Sequence, residues 1–202
     1  IINNKIIQMY SFYRNYLEVI EMIKMKAVFL VINYMPHQLV SIKTLINDYN
    51  ATVHSFSFKD NTPIPENVEN LKTYRSKDFS RTDLLKKIIE IKADLIVVAG
   101  WAISDYMWVA KQIRKKTNVP IIAMSDTQWL GTFRQKINCS ISPFHVGKAF
   151  THIWVAGIRQ YDYARRLGFS NNQIIFNCLS ADTELFSKVI LDNKHIDYPR
   201  NF

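Results

Sequence analysis

Glycine is scarce in this sequence, five in 202 residues, and none falls in the stretch Asn33 to Gln38 that follows the first apolar run. A dinucleotide-binding turn needs glycines at that place so that the backbone can reach a pyrophosphate, so NAD and FAD are disfavoured and no cofactor is expected. Cysteine is scarcer still. Cys139 and Cys178 lack CxxC spacing and a neighbouring histidine cluster, which argues against a metal site or a disulfide framework and fits a reducing compartment. No apolar run approaches the roughly 18 residues of a membrane span, and the N-terminus lacks a signal-peptide core, so the expectation is a soluble, cytoplasmic chain. Acidic residues are in the minority, 17 against 26 basic, for a net charge of +9. That balance favours anionic neighbours such as nucleotide diphosphates, or a peripheral contact with the anionic inner face of a membrane. Nucleic acid is a poor fit, because the basic residues do not interleave with aromatics on one face.

What the chain has is alternation. At 48% hydrophobic and 21% charged it can hold one full core and an appendage. Residues 1–24 carry an aromatic stripe of helical period (Tyr10, Tyr13, Tyr16, Leu17, Ile20) and read as an N-terminal helical extension that the core can fold without. From Met25 the pattern repeats strand and helix. Lys26 to Ile32 is an apolar run suited to a strand buried on both faces of a parallel sheet, and a helix follows from Leu39. Thr52 to Phe58 and Val68 to Tyr74 read as two more strands. The link between them is short for a parallel crossover, so the second is expected at an edge or in the opposite sense. A helix striped by Leu84, Leu85, Ile88 and Ile91, with Asp83 in its first turn, leads to the buried strand Asp94 to Ala99, then to a helix from about Ile103 closed by Arg114, Lys115 and Lys116. Ile121 to Met124 is the next strand. Pro143 interrupts the helix expected after Thr132, and residues 187–202 read as a connector. The fold expected is α/β and Rossmann-like, a mostly parallel sheet with helices on both faces.

In such sheets the C-terminal strand ends share one edge, and ligands bind there. Four segments meet at it: Tyr34 to Gln38, Gly100 to Ser104, Ser125 to Gly131 and Gly157 to Arg159. Ser125, Asp126, Thr127, Gln128 and Trp129 combine polar and aromatic groups suited to gripping a sugar. The competing reading is a surface turn in which Asp126 or Thr132 caps a helix. His37 is a candidate substrate contact or, equally, a loop histidine capping a backbone carbonyl. Gly100 and Trp101 end a strand at the cleft, and Gly157 would allow close backbone approach. Arg134, Lys136, His145 and Lys148 could face phosphate or anionic lipid, though a solvated helix side is the commoner explanation.

The stretch Thr151 to Phe186 reads strand, glycine turn, helix, Leu-Gly, strand. Trp154, Gly157, Gln160, Ala164, Leu167, Gly168, Ile174, Asp182 and Phe186 fall at spacings that resemble the end of the N-terminal domain of family 4 glycosyltransferases of the GT-B fold. The resemblance implies that residues 25–186 are the acceptor-side half of a metal-independent hexosyltransferase, moving a sugar from a nucleotide-sugar to a glycan or lipid-linked acceptor with retention. The nucleotide-sugar would bind mainly through a further, donor-binding domain. Asp126 is then the catalytic candidate, although the family often has histidine there, and nucleotide-sugars should bind weakly to this half alone. Two alternatives stand beside it: a sugar-nucleotide epimerase of the same GT-B architecture, which needs acid/base carboxylates in the cleft, and a non-catalytic Rossmann-like binding module.

Overall fold

The computed structural model describes residues 24–59 and 68–179, together with residues 183 and 187. The expected extension apart from Lys24, the connector apart from Ser187, and Asp182 and Phe186 of the motif lie outside the described residues.

Seven parallel strands form one sheet: β1 (Lys26–Val31), β2 (Thr52–Ser57), β3 (Leu71–Arg75), β4 (Leu95–Val98), β5 (Ile121–Ser125), β6 (His152–Val155) and β7 (Ile174–Ile175), in the spatial order β3-β2-β1-β4-β5-β6-β7. The helices are α1 (Pro36–Tyr49), α2 (Arg81–Ile91), α3 (Ser104–Lys116), α4 (Phe133–Ile141) and α5 (Ile158–Arg166). β1 is an interior strand, bonded to β2 on one side and β4 on the other, and its apolar run is divided between two cores. Ala27, Phe29 and Val31 join Ile42 and Ile46 of α1 on one face. Val28 and Leu30 join α2, α3 and α5 on the other, through Leu84, Ile88, Tyr106, Ile113, Tyr163 and Leu167. A strand buried on both faces cannot alternate polar and apolar residues, which is why β1 is legible as an unbroken run. Each fully buried Leu, Ile or Phe here contributes roughly 1.5–3 kcal/mol.

Helix ends follow local rules. Ser80 caps α2, its Oγ accepting from Asp83 N at 3.2 Å and donating to the Asp83 carboxylate at 2.6 Å, which holds that carboxyl below its usual range. Gly168, at φ +97, ends α5 in the left-handed region, with Phe169 N bonded back to Ala164 O.

One expectation is met and one needs correction. β3 takes the first of its two expected placements, at the sheet edge, and runs parallel to β2. A turn holding Asn70 at φ +61 delays its start from Val68 to Leu71, so the connection reaches the dozen or so residues that a parallel crossover requires. The first helix starts at Pro36 rather than Leu39, because proline suits the first helical position, where no N–H partner exists. This moves His37 from a loop into the first turn of α1.

Burial holds three histidines below the ordinary imidazole range. For His54, buried in β2 and 3.1 Å from the Tyr74 hydroxyl, the charges of Lys72, Lys87 and Lys26 add to the effect. Lys111 adds to it at His145, whereas Asp126 opposes it at His37. The unfolded chain therefore takes up protons more readily than the native one as pH falls below about 6.5, and stability should be full above that value and decline below it. Urea midpoints measured from pH 7.5 down to 5 should show the decline. His54→Gln, able to keep a hydrogen bond to Tyr74, should flatten it.

Candidate functional site

From β1 the chain moves outward through β2 to β3, and from β4 it moves the other way through β5 to β7. Successive crossovers leave opposite faces of the sheet at that reversal, so a crevice opens at the C-terminal ends of β1 and β4. A cleft of about 910 Å³ occupies it. Asn33, Met35, His37 and Gln38 form one wall. Gly100, Trp101 and Ala102 after β4 and Ser125, Asp126 and Thr127 after β5 contribute further lining, with Lys59, Arg134, Asn138, Tyr163 and Cys178 around them. Gly100 sits at φ +73, in the left-handed region that side chains rarely adopt, so this strand end favours glycine for its backbone conformation, a Cβ there meeting Met124 O only at an ordinary 3.5 Å.

His37 and Asp126 line the same cleft, close enough for the carboxylate charge to act on the imidazole. Burial lowers the His37 pKa, and the nearby Asp126 charge partly opposes the shift. The ring has no hydrogen-bond partner among the described residues, and His37's own carbonyl accepts from Ser41 Oγ at 3.1 Å, so the carbonyl-capping role is not what the structure shows. Asp126 is exposed and caps no helix. Thr132 caps α4 instead, accepting from Gln135 N at 3.3 Å. The Asp126 backbone is held from α5 by Gln160, whose Nε2 donates to Asp126 O at 3.0 Å. Cys178 is buried, and desolvation pushes its thiol up to about 11, so it stays protonated and is no nucleophile at neutral pH.

Of the residues expected at the site, His37, Gly100, Trp101, Ser125, Asp126 and Thr127 line the cleft, while Gln128, Trp129 and Gly157 do not. Gln135 accounts for the first two. Its buried amide donates to Gln128 O at 2.7 Å and accepts from Leu130 N at 2.8 Å, folding this loop back on α4. Trp129 then packs beside Tyr163, ring centroids 5.7 Å apart, with the Arg166 guanidinium 4.5 Å from the indole centroid. Gly157 is extended at φ −177, a conformation open to any residue, so nothing there calls for glycine. Asn33, Lys59 and Asn138 escaped the sequence reading because isolated polar residues carry no periodic signal. Arg134 was visible only as one more basic residue. Among the described residues, no cluster of three or more His, Cys, Asp or Glu could hold a metal ion.

No family model and no curated protein matches this chain. Solved structures similar to it include the GalE-like L-threonine dehydrogenase from Cupriavidus necator in its holo form, at 11% identity and TM-score 0.44, covering 65% of this chain and 54% of that one. The chain thus spans about half the length of that enzyme. A short-chain dehydrogenase/reductase from Veillonella parvula matches at 12% identity and TM-score 0.43, over 86% of this chain and 88% of its own. The Bordetella bronchiseptica enzyme WbmH, solved with NAD+, matches at 10% and 0.40, over 87% and 84%. These are not GT-B glycosyltransferases, and the family 4 resemblance, with the hexosyltransferase activity it implied, is corrected on that finding. The motif residues have a simpler account. Trp154, Gly157, Ala164, Leu167, Gly168 and Ile174 build the β6–α5–β7 crossover of a Rossmann-like sheet, where a turn, an apolar helix face and a left-handed helix end are needed whatever the chemistry.

Nor does the first crossover fit a dinucleotide as a glycine-rich turn does. Met35 occupies the N-cap of α1, Pro36 removes an N–H from its first turn, and the Gln38 side chain reaches back toward Met35 N at 3.5 Å. The helix start that would meet a pyrophosphate thus lacks one N–H, and the Gln38 amide oxygen already faces another.

Proposed function

We propose that the switch-point cleft binds a sugar nucleotide and that the chain acts as an epimerase on it. The observation that supports this reading is that His37 and Asp126 line one crevice, with the Asp126 charge acting on the His37 ring. A histidine held below its ordinary pKa is neutral near pH 7 and can accept a proton, while the neighbouring carboxylate steadies the imidazolium that results. Lys59 and Arg134 on the lining suit a diphosphate, and Trp101 offers an aromatic surface to a sugar.

Because the first turn does not suit a dinucleotide, no hydride step is invoked, and the substrate must itself carry the activating group. A keto-sugar nucleotide meets that requirement. His37 takes the proton from the carbon beside the carbonyl, and the C–H electron pair moves into the enolate. A water on the opposite face delivers a proton to that carbon and inverts it, and His37 releases its proton to the resulting hydroxide through solvent. Asp126 accepts hydrogen bonds from the sugar hydroxyls. Weak, submillimolar to millimolar affinity is expected, since no glycine-rich turn cradles the phosphates.

Incubation with nucleoside-diphosphate keto sugars in D2O, followed by NMR, tests the reading. Deuterium should enter at the carbon beside the carbonyl and a second epimer should accumulate. Binding without exchange would replace this reading with that of a non-catalytic binding module, which the presence of a single carboxylate on the described lining favours.

A further inference from the structure

The outer face of α4 is apolar and has no partner among the described residues. Phe133, Ile137 and Ile141 recur every four residues, and Phe144 follows in the short 3-10 turn, so all four share one side of the element. Their exposures are 78%, 44%, 46% and 72%, whereas Gln135, on the opposite side, is buried. Leu130, at 66%, extends the patch toward the preceding loop. Single exposed apolar residues are ordinary, but an aligned row of large ones marks an interaction surface.

Charge identifies the partner. From Thr127 to Tyr161 the sequence contains no Asp or Glu, yet it holds Arg134, Lys136, Lys148 and Arg159. On the helical wheel Arg134 and Lys136 flank the apolar row on either side, and the Lys148 ammonium lies 5.8 Å from the centre of the Phe144 ring. A protein partner would be served by the apolar row alone. A segment with four basic residues and no acidic one fits a surface that is apolar beneath and anionic at its boundary.

We propose that α4 and the turn after it dock on an anionic phospholipid surface, Phe133, Ile137, Ile141 and Phe144 entering the headgroup boundary and Lys136 and Lys148 meeting lipid phosphates. The opposite flank of α4 supplies Arg134, Gln135 and Asn138 to the cleft, so docking would bring the cleft next to the lipid surface.

Cosedimentation of the full chain with vesicles of phosphatidylcholine, with and without phosphatidylglycerol, is the test. Binding should require phosphatidylglycerol. Lys136→Glu should weaken it about fivefold or more, and Phe133→Ser with Phe144→Ser should lower it at least about tenfold, circular dichroism being unchanged. In a separate Phe144→Trp variant, indole emission should shift to the blue when anionic vesicles are added, a readout that does not depend on the serine pair folding. Equal binding to neutral vesicles, or no effect of the serine pair, would overturn the proposal. So would a dimer in size-exclusion chromatography that the serine pair dissolves without any vesicle binding, or vesicle binding that arises only after removal of residues 1–23.

Discussion

Replacing His37 with Gln should lower the rate of deuterium exchange into a keto-sugar nucleotide by about 10²- to 10⁴-fold, the range over which a positioned general base acts. Thermal stability near pH 7 should change little, since the ring makes no hydrogen bond among the described residues and its burial is partial. Asp126→Asn is the more discriminating variant. The Asp126 charge holds the His37 pKa up against desolvation, so its loss lets that pKa fall further, and the acid limb of the pH–rate profile should move to lower pH. An unmoved limb would separate Asp126 from His37 and remove it from the mechanism. Asp126→Ala should cost less than about 0.5 kcal/mol of stability, because Thr132 is the helix cap. A loss near 1–2 kcal/mol with full exchange activity would make it a structural residue.

The largest effect on folding should come from Tyr106. Its ring is 1% exposed in α3, and its hydroxyl donates to Phe56 O at 2.9 Å and lies 3.2 Å from Val31 O, so it ties α3 to the C-terminal ends of β1 and β2 together. Burial raises the phenol well above its ordinary range, which keeps the donor in place at any pH the protein survives. Tyr106→Ala should cost about 3–5 kcal/mol, a large share of the 5–15 kcal/mol typical of a domain. Tyr106→Phe, which keeps the ring and leaves Phe56 O without this donor, should cost about 1–2 kcal/mol. Chemical denaturation of both variants would measure the difference. Equal losses would mean that the hydroxyl, and not the packed ring, carries the effect.

The family resemblance failed for a physical reason that the β6–α5–β7 unit makes plain. Its glycine turn, Leu167-Gly168 helix end and Ile174 strand satisfy the backbone of any parallel crossover, so their spacing reports architecture and leaves chemistry open. The first helix was misplaced in a smaller way. Apolar periodicity begins at Leu39, but the helix begins where Pro36 can serve as its first residue, and only that shift puts His37 on a rigid element facing the cleft.

The sequence by itself determined the parallel α/β architecture, the buried β1 run, the apolar faces of α2 and α3, the left-handed end at Gly168 and the cap role open to Thr132. Each of these is a local or periodic requirement that neighbouring residues express directly. Tertiary structure alone decided that β1 lies against β4, that Asp126 and His37 line one cleft, and that Gln135 folds the Gln128–Leu130 loop back so that Trp129 packs beside Tyr163. Spatial strand order and the pairing of single polar side chains depend on packing between segments far apart in the chain, and such contacts leave no period, spacing or composition for a linear reading to detect.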